Sequence, residues 1–568
     1  MPDRIAAGQP SPTRHDTVAA LLDEITTDPG GVVSASIYDT ARLVSLTPSL
    51  PGHTARLRFL LTQQRSDGCW GEADGYALVP TLSATEAILA TLHRPSAAGI
   101  EAGQLRSSAL RGLTALRRWS GSHESVPDTI AVEVVVPALI AAINSHLDGP
   151  DPVVASDVRL AVPAGMNPDA ARHLTARVRD HAGSDPQTWW ASLEVLGADA
   201  ARIATVRPHE QGMIACSPAA TAAWLGENPD HSTPAAAAAA RYLSRLQAAG
   251  GGPVAGVWPI TFFERSWVLS VLAPAMSSQP APASVLDSLD GALGPGGASA
   301  APSLPPDCDD AAVVLTALHR HGRPRPVDPL LTYYTGSYFR CFPTERTASV
   351  STTAHALETL HEAIVAQPAE RLRLDPIAEA TAAWLVETQT ADGSWWDKWH
   401  ASPYYATACC VDALTPYTVV LAGSTATTTV GAAVKHAVQR AVAWTVATQH
   451  TDGSWGRWGG SVEETAYAVQ ILTRAGGVGP DVAAAVAAGA AYLRQQHGSG
   501  PHRGLWHAKD LYAPVRVIRA TRLAALAAAE RFAVTSGAAR NAPAGAAAVP
   551  RLPAPREAQT RRALADAD

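Results

Sequence analysis

Three carboxylates stand within four residues at Asp307, Asp309 and Asp310, after two prolines and before an Ala/Val/Leu-rich stretch. Pro followed by Asp is typical of a helix start, where a carboxylate accepts free backbone N–H groups, so capping is one interpretation. Capping needs only one carboxylate, and three carboxyl groups this close together cannot all be ionised. We therefore expect at least one raised pKa, which leaves a carboxylic acid able to donate a proton at neutral pH.

Tryptophan recurs in a pattern that predicts the elements around this acidic cluster. A usually apolar residue is followed four positions later by Gln and then by Gly-x-Trp. A Gln near a helix end can bond free backbone groups while the Trp packs over the turn. The repeats therefore predict architecture rather than chemistry. The copies are Phe59…Gln63…Trp70, Leu385…Gln389…Trp395 and Thr445…Gln449…Trp455, with looser ones at Leu243…Gln247…Trp258 and Tyr492…Gln496…Trp506.

Ala-rich helical segments separated by Gly/Pro turns fill almost the whole chain, and alternating β patterns are rare. This pattern predicts an all-α fold of two α/α barrels. We assign residues 31–275 to an N-terminal barrel and 276–532 to a second, catalytic barrel that carries the acidic cluster. Residues 1–30 are expected to belong to the catalytic barrel, and 533–568, rich in Ala, Pro and Arg, to form a disordered tail.

Composition excludes several classes of function. The formal net charge is −7 and only 17% of residues are charged, so no footprint for a nucleic-acid backbone is present. Apolar stretches are shorter than the ~20 residues that cross a bilayer. The N-terminus lacks an apolar signal core, and the six Cys show no disulfide-like spacing. These features predict a cytoplasmic protein without a membrane span.

Asp307-Cys-Asp-Asp310 resembles the DxDD motif of class II terpene cyclases, and the Trp repeats resemble the QW motifs of the same superfamily. That superfamily includes squalene–hopene cyclases and copalyl diphosphate synthases. The resemblance covers residues from about 36 to 525 and implies the two-barrel βγ architecture. Six further segments resemble bacterial class II diterpene cyclases more narrowly: 36–41, 216–222, 263–267, 397–407, 463–467 and 506–514.

The resemblance implies that Asp309 is the acid that protonates a terminal alkene, with Asp307 and Asp310 supporting its proton. It places His355 against this acid, although a core histidine is the alternative, and Thr353 stands where the family often has Asn. The cavity must be dry and lined by aromatic faces that stabilise cations. No feature of the sequence identifies the terminating base. The aromatic candidates are Trp258, Tyr333, Tyr338, Trp395 and Tyr404.

Bacterial members resemble one another in a DxxxxE pattern implicated in Mg²⁺ binding, which stands here as Asp128 and Glu133. A helix start and a solvated helix face are the ordinary alternatives for these two residues. Few protein oxygens suit Mg²⁺, whose other positions are filled by water and phosphate. Lys398 and Lys509 are the candidates for direct diphosphate contact, with a solvated or ion-paired lysine as the alternative.

We therefore expect a monofunctional class II cyclase that converts geranylgeranyl diphosphate to a bicyclic prenyl diphosphate of the copalyl, kolavenyl or halimadienyl type. A DDxxD site that would ionise the diphosphate is absent after Asp309. Alternatives are a drimenyl diphosphate synthase acting on farnesyl diphosphate, a squalene-type cyclase, an α/α-barrel hydrolase and a non-catalytic helical repeat protein. Expected partners are the prenyl diphosphate, a downstream class I terpene synthase or other diphosphate-processing enzyme, and a second copy of the chain.

Overall fold

A computed structural model describes most of the chain, and helices dominate it. No described helix is long and apolar enough to cross a membrane. Both ends of the chain, 1–16 and 541–568, lie outside the described residues. The described residues are 17–94, 99–148, 154, 158–179, 187–227, 232–276, 279–422, 429–475, 479–496 and 502–540.

Twenty α-helices, three 3₁₀ segments and one short hairpin make up the described structure. The hairpin pairs β1 (Trp506–His507) with β2 (Leu511–Tyr512) in antiparallel register. The 3₁₀ segments span Thr188–Arg202, Ala273–Ala275 and Pro368–Glu370. The helices are α1 (Val18–Thr27), α2 (Ile37–Leu46), α3 (His53–Gln63), α4 (Leu78–Leu92), α5 (Ala102–Leu116), α6 (Val132–Leu147), α7 (Ala170–Arg179), α8 (Pro218–Leu225), α9 (Pro234–Gly250), α10 (Thr261–Leu272), α11 (Ala283–Ala292), α12 (Cys308–Arg320), α13 (Asp328–Leu331), α14 (Val350–Ala366), α15 (Arg371–Glu387), α16 (Pro403–Ala422), α17 (Thr429–Ala447), α18 (Val462–Arg474), α19 (Pro480–Gln495) and α20 (Val515–Arg540).

Six helices of the C-terminal half form a closed ring. Each of α10, α12, α14, α16, α18 and α20 packs on the next, and α20 packs back on α10. The helices α11, α15, α17 and α19 lie between successive ring helices in sequence and pack against the ring. Because these connecting helices return the chain, the ring helices run in the same direction and begin at the same rim. We call this assembly the second barrel, and the acidic cluster begins one of its helices.

A second closed ring forms in the N-terminal half. The helix α2 packs on α4, α4 on α6, α6 on the 3₁₀ segment Thr188–Arg202, that segment on α8, and α8 back on α2. The helices α3, α5, α7 and α9 pack against this first barrel. The all-α fold of two barrels therefore agrees with the expectation from sequence.

Two helices that precede residue 276 in the chain belong to the core of the second barrel. Apolar side chains of α1 and α10 lie in the core of the second barrel, although α2 to α9 belong to the first. Residues 261–272 thus pack with the second barrel, while the domain limits at 275 and 276 stay a prediction. The expected disorder from 533 is wrong for its first part, because α20 continues to Arg540.

Three Trp repeats form the same structural link. In one of them, the indole Nε1 of Trp395 donates to Leu385 O at 2.7 Å, and Gln389 Nε2 donates to Gly393 O and to Ala437 O on α17. Gly393 has φ +98°, and a Cβ there would lie 2.7 Å from a backbone oxygen of α17. Each repeat therefore ties the end of one helix to a neighbouring helix. The other two copies centre on Trp70 and Trp455.

The repeat predicted from the sequence is wrong in two respects. In the first repeat Gln64, not the exposed Gln63, donates to Gly68 O and to Ser108 O, and Leu60 accepts the indole. The two looser copies are not links of this kind, because Trp258 donates to Gly31 O and Trp506 to a carboxylate. Three Trp, rather than five, therefore serve as repeat links.

Replacing Trp395 with alanine is expected to lower the free energy of unfolding by about 3–5 kcal/mol, because a fully buried indole and its hydrogen bond are lost together. Urea unfolding followed by circular dichroism measures this loss. The adjacent Trp396 is the matched control, since it is 44% exposed and the Arg457 guanidinium lies 4.9 Å from its ring centroid. Its alanine variant should lose about 1 kcal/mol or less. Equal losses in the two variants would contradict a structural role specific to the repeat.

Candidate active site

The acidic cluster begins α12 inside the protein rather than at its surface. Asp307 is the N-cap, and its Oδ1 accepts the backbone N–H of Asp310 at 2.9 Å. Burial raises the pKa of Asp307 to about 7, and burial together with the Asp307 charge raises that of Asp310 well above its usual value. The expectation of at least one raised pKa in the cluster is confirmed. Capping and proton storage thus coexist at this helix start.

Asp309 faces a histidine from the next ring helix. Its Oδ1 lies 2.7 Å from Nδ1 of His355 in the second turn of α14, and both side chains are largely buried. Burial alone would lower the pKa of His355, but the Asp309 carboxylate outweighs burial and raises it well above its usual value. Thr353 instead bonds Phe339 and Ser349. The structure therefore brings together Asp309 and His355, as the sequence predicts.

Aromatic side chains surround this pair. The ring of His355 meets Trp267 edge-on at 5.5 Å between centroids and Tyr405 at 6.3 Å. Tyr405 in turn lies 4.8 Å from Trp506 and stacks at 4.5 Å on His400. Stacked and edge-on rings offer faces that attract positive charge. We call these five residues the aromatic wall.

The aromatic wall is not the set proposed from sequence. Tyr338 stacks on Trp384, Tyr404 packs at a tilt against Trp444, Trp258 packs on Tyr242, and Trp395 forms a repeat link. Tyr333 donates its hydroxyl to Gly296 O. A signal was nevertheless present, because Trp267, Tyr405 and Trp506 each stand in one of the segments that carry the family resemblance.

A carboxylate lies directly behind the aromatic wall. Glu463 Oε1 accepts the indole N–H of Trp506 at 2.7 Å and the hydroxyl of Tyr467 at 3.1 Å, and it lies 3.2 Å from His400 Nε2. The side chain is 3% exposed. Sequence reasoning missed Glu463, because no local pattern distinguishes it from its neighbour Glu464.

The two predicted Mg²⁺ residues and one predicted diphosphate lysine meet around one loop between the barrels. Asp128 Oδ2 accepts the Thr347 hydroxyl at 3.1 Å, and Glu133 lies 3.6 Å from Arg346. Lys398 Nζ donates to Thr347 O at 2.6 Å and also pairs with Glu345 at 2.8 Å. Asp397, next to Lys398, accepts the first backbone N–H groups of α14, which links this loop to the helix that carries His355.

Lys509 lies apart from this loop in a buried ion pair. Its Nζ lies 2.6 Å from Glu194 Oε1 and donates to Ser217 Oγ at 2.9 Å, and the side chain is only 4% exposed. The Tyr38 hydroxyl donates to the same Glu194 oxygen. The residue also lines a small pocket with Pro127 and Thr129, on either side of the predicted metal residue. Lys509 is thus ion-paired within the protein, and its contact with the diphosphate stays a prediction.

The donor set around the loop suits Mg²⁺ in one respect. Asp128 and Glu133 offer hard carboxylate oxygens, and the second is about half exposed. Among the described residues no group of three or more His, Cys, Asp or Glu is arranged as a complete metal site. Mg²⁺ commonly takes one or two carboxylates and completes its shell with water and phosphate, so the two residues fit such an ion.

Comparison with known proteins agrees with this geometry. Residues 346–498 match the squalene-hopene cyclase C-terminal domain. The chain is 43% identical to the ent-copalyl diphosphate synthase of Streptomyces sp. (strain KO-3988), over 90% of this chain and 96% of that protein. It is 37% identical to the labda-7,13-dienyl diphosphate synthase of Streptomyces clavuligerus, over 91% of this chain and 94% of that protein. The solved ent-copalyl diphosphate synthase from Streptomyces platensis superposes with a TM-score of 0.82 at 44% identity, over 90% and 99%.

Two α-helical barrels with an acid–histidine pair at the rim of the second define a terpene cyclase of the protonating class. The chain belongs to the bacterial class II diterpene cyclases. Because the chain belongs to this family, the two alternatives of a hydrolase and a non-catalytic repeat protein are excluded.

Proposed function

We propose that this protein cyclises geranylgeranyl diphosphate to a bicyclic prenyl diphosphate of the copalyl type and retains the diphosphate. The observation that carries the proposal is the Asp309–His355 pair, whose histidine belongs to the aromatic wall, in a chain 43% identical to an ent-copalyl diphosphate synthase. The product would then be a substrate for a class I synthase or another enzyme that processes the diphosphate.

Asp309 is the proposed acid, and its surroundings explain why it can protonate an alkene. Alkenes are very weak bases, so the acid needs strong stabilisation of the carboxylate that remains. The charged form of His355 donates to Asp309 Oδ1 and stabilises that carboxylate. Burial and the neighbouring Asp307 raise the pKa of Asp310 well above its usual value, so Asp310 adds little to the repulsion that a new negative charge on Asp309 would meet.

The diphosphate would lie at the loop of residues 345–347, where Asp128, Glu133 and Lys398 converge. Lys398 supplies a positive charge beside this loop, and Asp128 and Glu133 would hold Mg²⁺. Bound there, the ion would neutralise diphosphate oxygens. An anchored diphosphate fixes one end of the substrate, so the alkene at the other end of the substrate can reach Asp309 in the second barrel.

Product analysis tests the proposed function. Purified protein is incubated with Mg²⁺ and, in separate reactions, with geranylgeranyl diphosphate, farnesyl diphosphate or squalene. Products are dephosphorylated where needed and analysed by gas chromatography with mass spectrometry. A bicyclic C20 alcohol is the expected result. Conversion of only the farnesyl substrate would change the substrate class, whereas acyclic alcohols and unchanged squalene throughout would refute a cyclase.

Alanine at Asp128 or at Glu133 is expected to raise the Mg²⁺ concentration for half-maximal activity by about tenfold or more, because Mg²⁺ has few protein ligands to lose. The measurement is a Mg²⁺ titration of initial rate at saturating substrate. Asp148 is the matched control, since it ends α6 and pairs with Arg159 at the surface. An unchanged titration in both variants would remove the two residues from the metal site.

A further inference from the structure

One oxygen of Glu463 has no hydrogen-bond partner among the residues the structure describes. Oε2 is buried and unpaired, whereas Oε1 has three neighbouring donors. His400 Nδ1 accepts the backbone N–H of Ser402, so the neutral ring carries its proton on Nε2 and donates it to Oε1. Three donors around one oxygen stabilise the ionised form of a carboxyl group. Glu463 thus has a second, buried oxygen that is free to accept a proton, which ordinary packing does not explain.

The position of Glu463 lies between the proposed acid and the proposed diphosphate anchor. On one side, Trp506 and Tyr405 connect it to the ring of His355, which contacts Asp309. On the other side, His400 stands two residues after Lys398 on the same segment, and His507 N donates to the Trp399 carbonyl at 2.9 Å. The Glu463 carboxyl group therefore belongs to the chain of contacts that connects the segment of Lys398 with the acid Asp309.

We propose that Glu463 is the base that ends the cyclisation. This proposal rests on the proposed function. After ring closure, a C–H bond next to the cationic carbon breaks, and its electron pair forms the C=C bond of the product. Glu463 Oε2 takes the proton and becomes a neutral carboxylic acid. The number of protons on substrate plus protein is unchanged, since Asp309 gave one at the start.

A cavity inside the second barrel offers space for water that could reset the protons of Glu463 and Asp309 after each turnover. It has a volume of about 300 Å³ and runs from Tyr467, Tyr405 and His355 toward Phe532 and Thr535 on α20. The Tyr467 hydroxyl bonds Glu463, and the His355 ring contacts Asp309, so one hydrogen-bond partner of each carboxyl group lines the same cavity. Water in such a cavity would remove the proton from Glu463 and return one to Asp309.

The Glu463→Gln variant tests the proposal, because the amide keeps an oxygen for the three donors but cannot accept a proton. We expect substrate to be consumed within about tenfold of the wild-type rate while the share of the wild-type product falls at least tenfold. Isomeric alkenes or a hydroxylated diphosphate, formed when water captures the cation, should replace it. Product ratios are measured by gas chromatography with mass spectrometry.

Glu464→Gln is the matched control. Glu464 is also buried, but both its oxygens are occupied, by the backbone N–H of Arg457 and the hydroxyl of Ser461. Its product should be unchanged, and Glu463→Asp, which keeps a carboxylate, should restore part of the wild-type product. An unaltered product ratio in Glu463→Gln would overturn the proposal, and so would a complete loss of substrate consumption. Failure of the wild-type protein to cyclise would instead refute the proposed function.

Discussion

Replacing Asp309 with asparagine is expected to lower cyclisation of geranylgeranyl diphosphate by roughly 10³-fold or more, because an amide has no acidic proton to give. The variant should keep the fold, since the side chain retains its shape and its place beside His355. Initial rates of bicyclic product formation and thermal unfolding measure the two quantities. Rates within tenfold of wild type would contradict the assignment of the acid.

Asp307→Asn is the informative companion to that variant. Its carbonyl oxygen can still accept the Asp310 backbone N–H, so α12 keeps its N-cap. Because Asp307 supports the acid without donating the reacting proton, we expect a smaller loss of about 10 to 100-fold. An equal loss in the two variants would mean that the cluster acts as one unit rather than through Asp309.

Lys509→Met is expected to lower the free energy of unfolding by about 3–5 kcal/mol, because it leaves Glu194 charged and buried without its partner. Any loss of activity should then follow the loss of folded protein, with little change in KM for the diphosphate substrate. Urea unfolding and steady-state kinetics at a temperature where the variant is folded separate the two effects.

The double variant Lys509→Met with Glu194→Gln is the control, because it removes both charges and leaves an oxygen for the Tyr38 hydroxyl. It should recover most of the lost stability. A stable single variant with a strongly raised KM would show instead that Lys509 contacts the diphosphate.

Residues that act through local patterns were predictable from the sequence. The acid–histidine pair follows from a helix-start motif and a resemblance, and the barrels follow from helical periodicity and recurring Trp. The predictions failed where two neighbouring residues fit the same spacing, or where a tertiary contact determines the role of a residue. Gln63 and Gln64 both precede a Gly-x-Trp turn, and only the fold shows that Gln64 reaches the neighbouring helix.

Long-range partners were beyond sequence reasoning. Lys398 and Lys509 looked equivalent as isolated cations in aromatic segments. Lys398 pairs with Glu345 beside the loop of Thr347, whereas Lys509 pairs with Glu194 of the first barrel. Glu463 and Glu464 are adjacent and equally buried, and they differ only in whether each oxygen has a partner. Such differences depend on side chains that are distant in sequence, so no local pattern encodes them.

The packing of α1 in the second barrel has a consequence for synthesis of the protein. Glu24 on α1 pairs with Arg516 and Arg519 on α20, so the first and the last of the described helices close the same barrel. The ring of the first barrel is complete once residue 225 has been made, whereas the ring of the second must wait for α20. We infer that the emerging chain holds α1 unpaired during most of translation, and that a fragment starting at residue 276 would lack two helices of its own core.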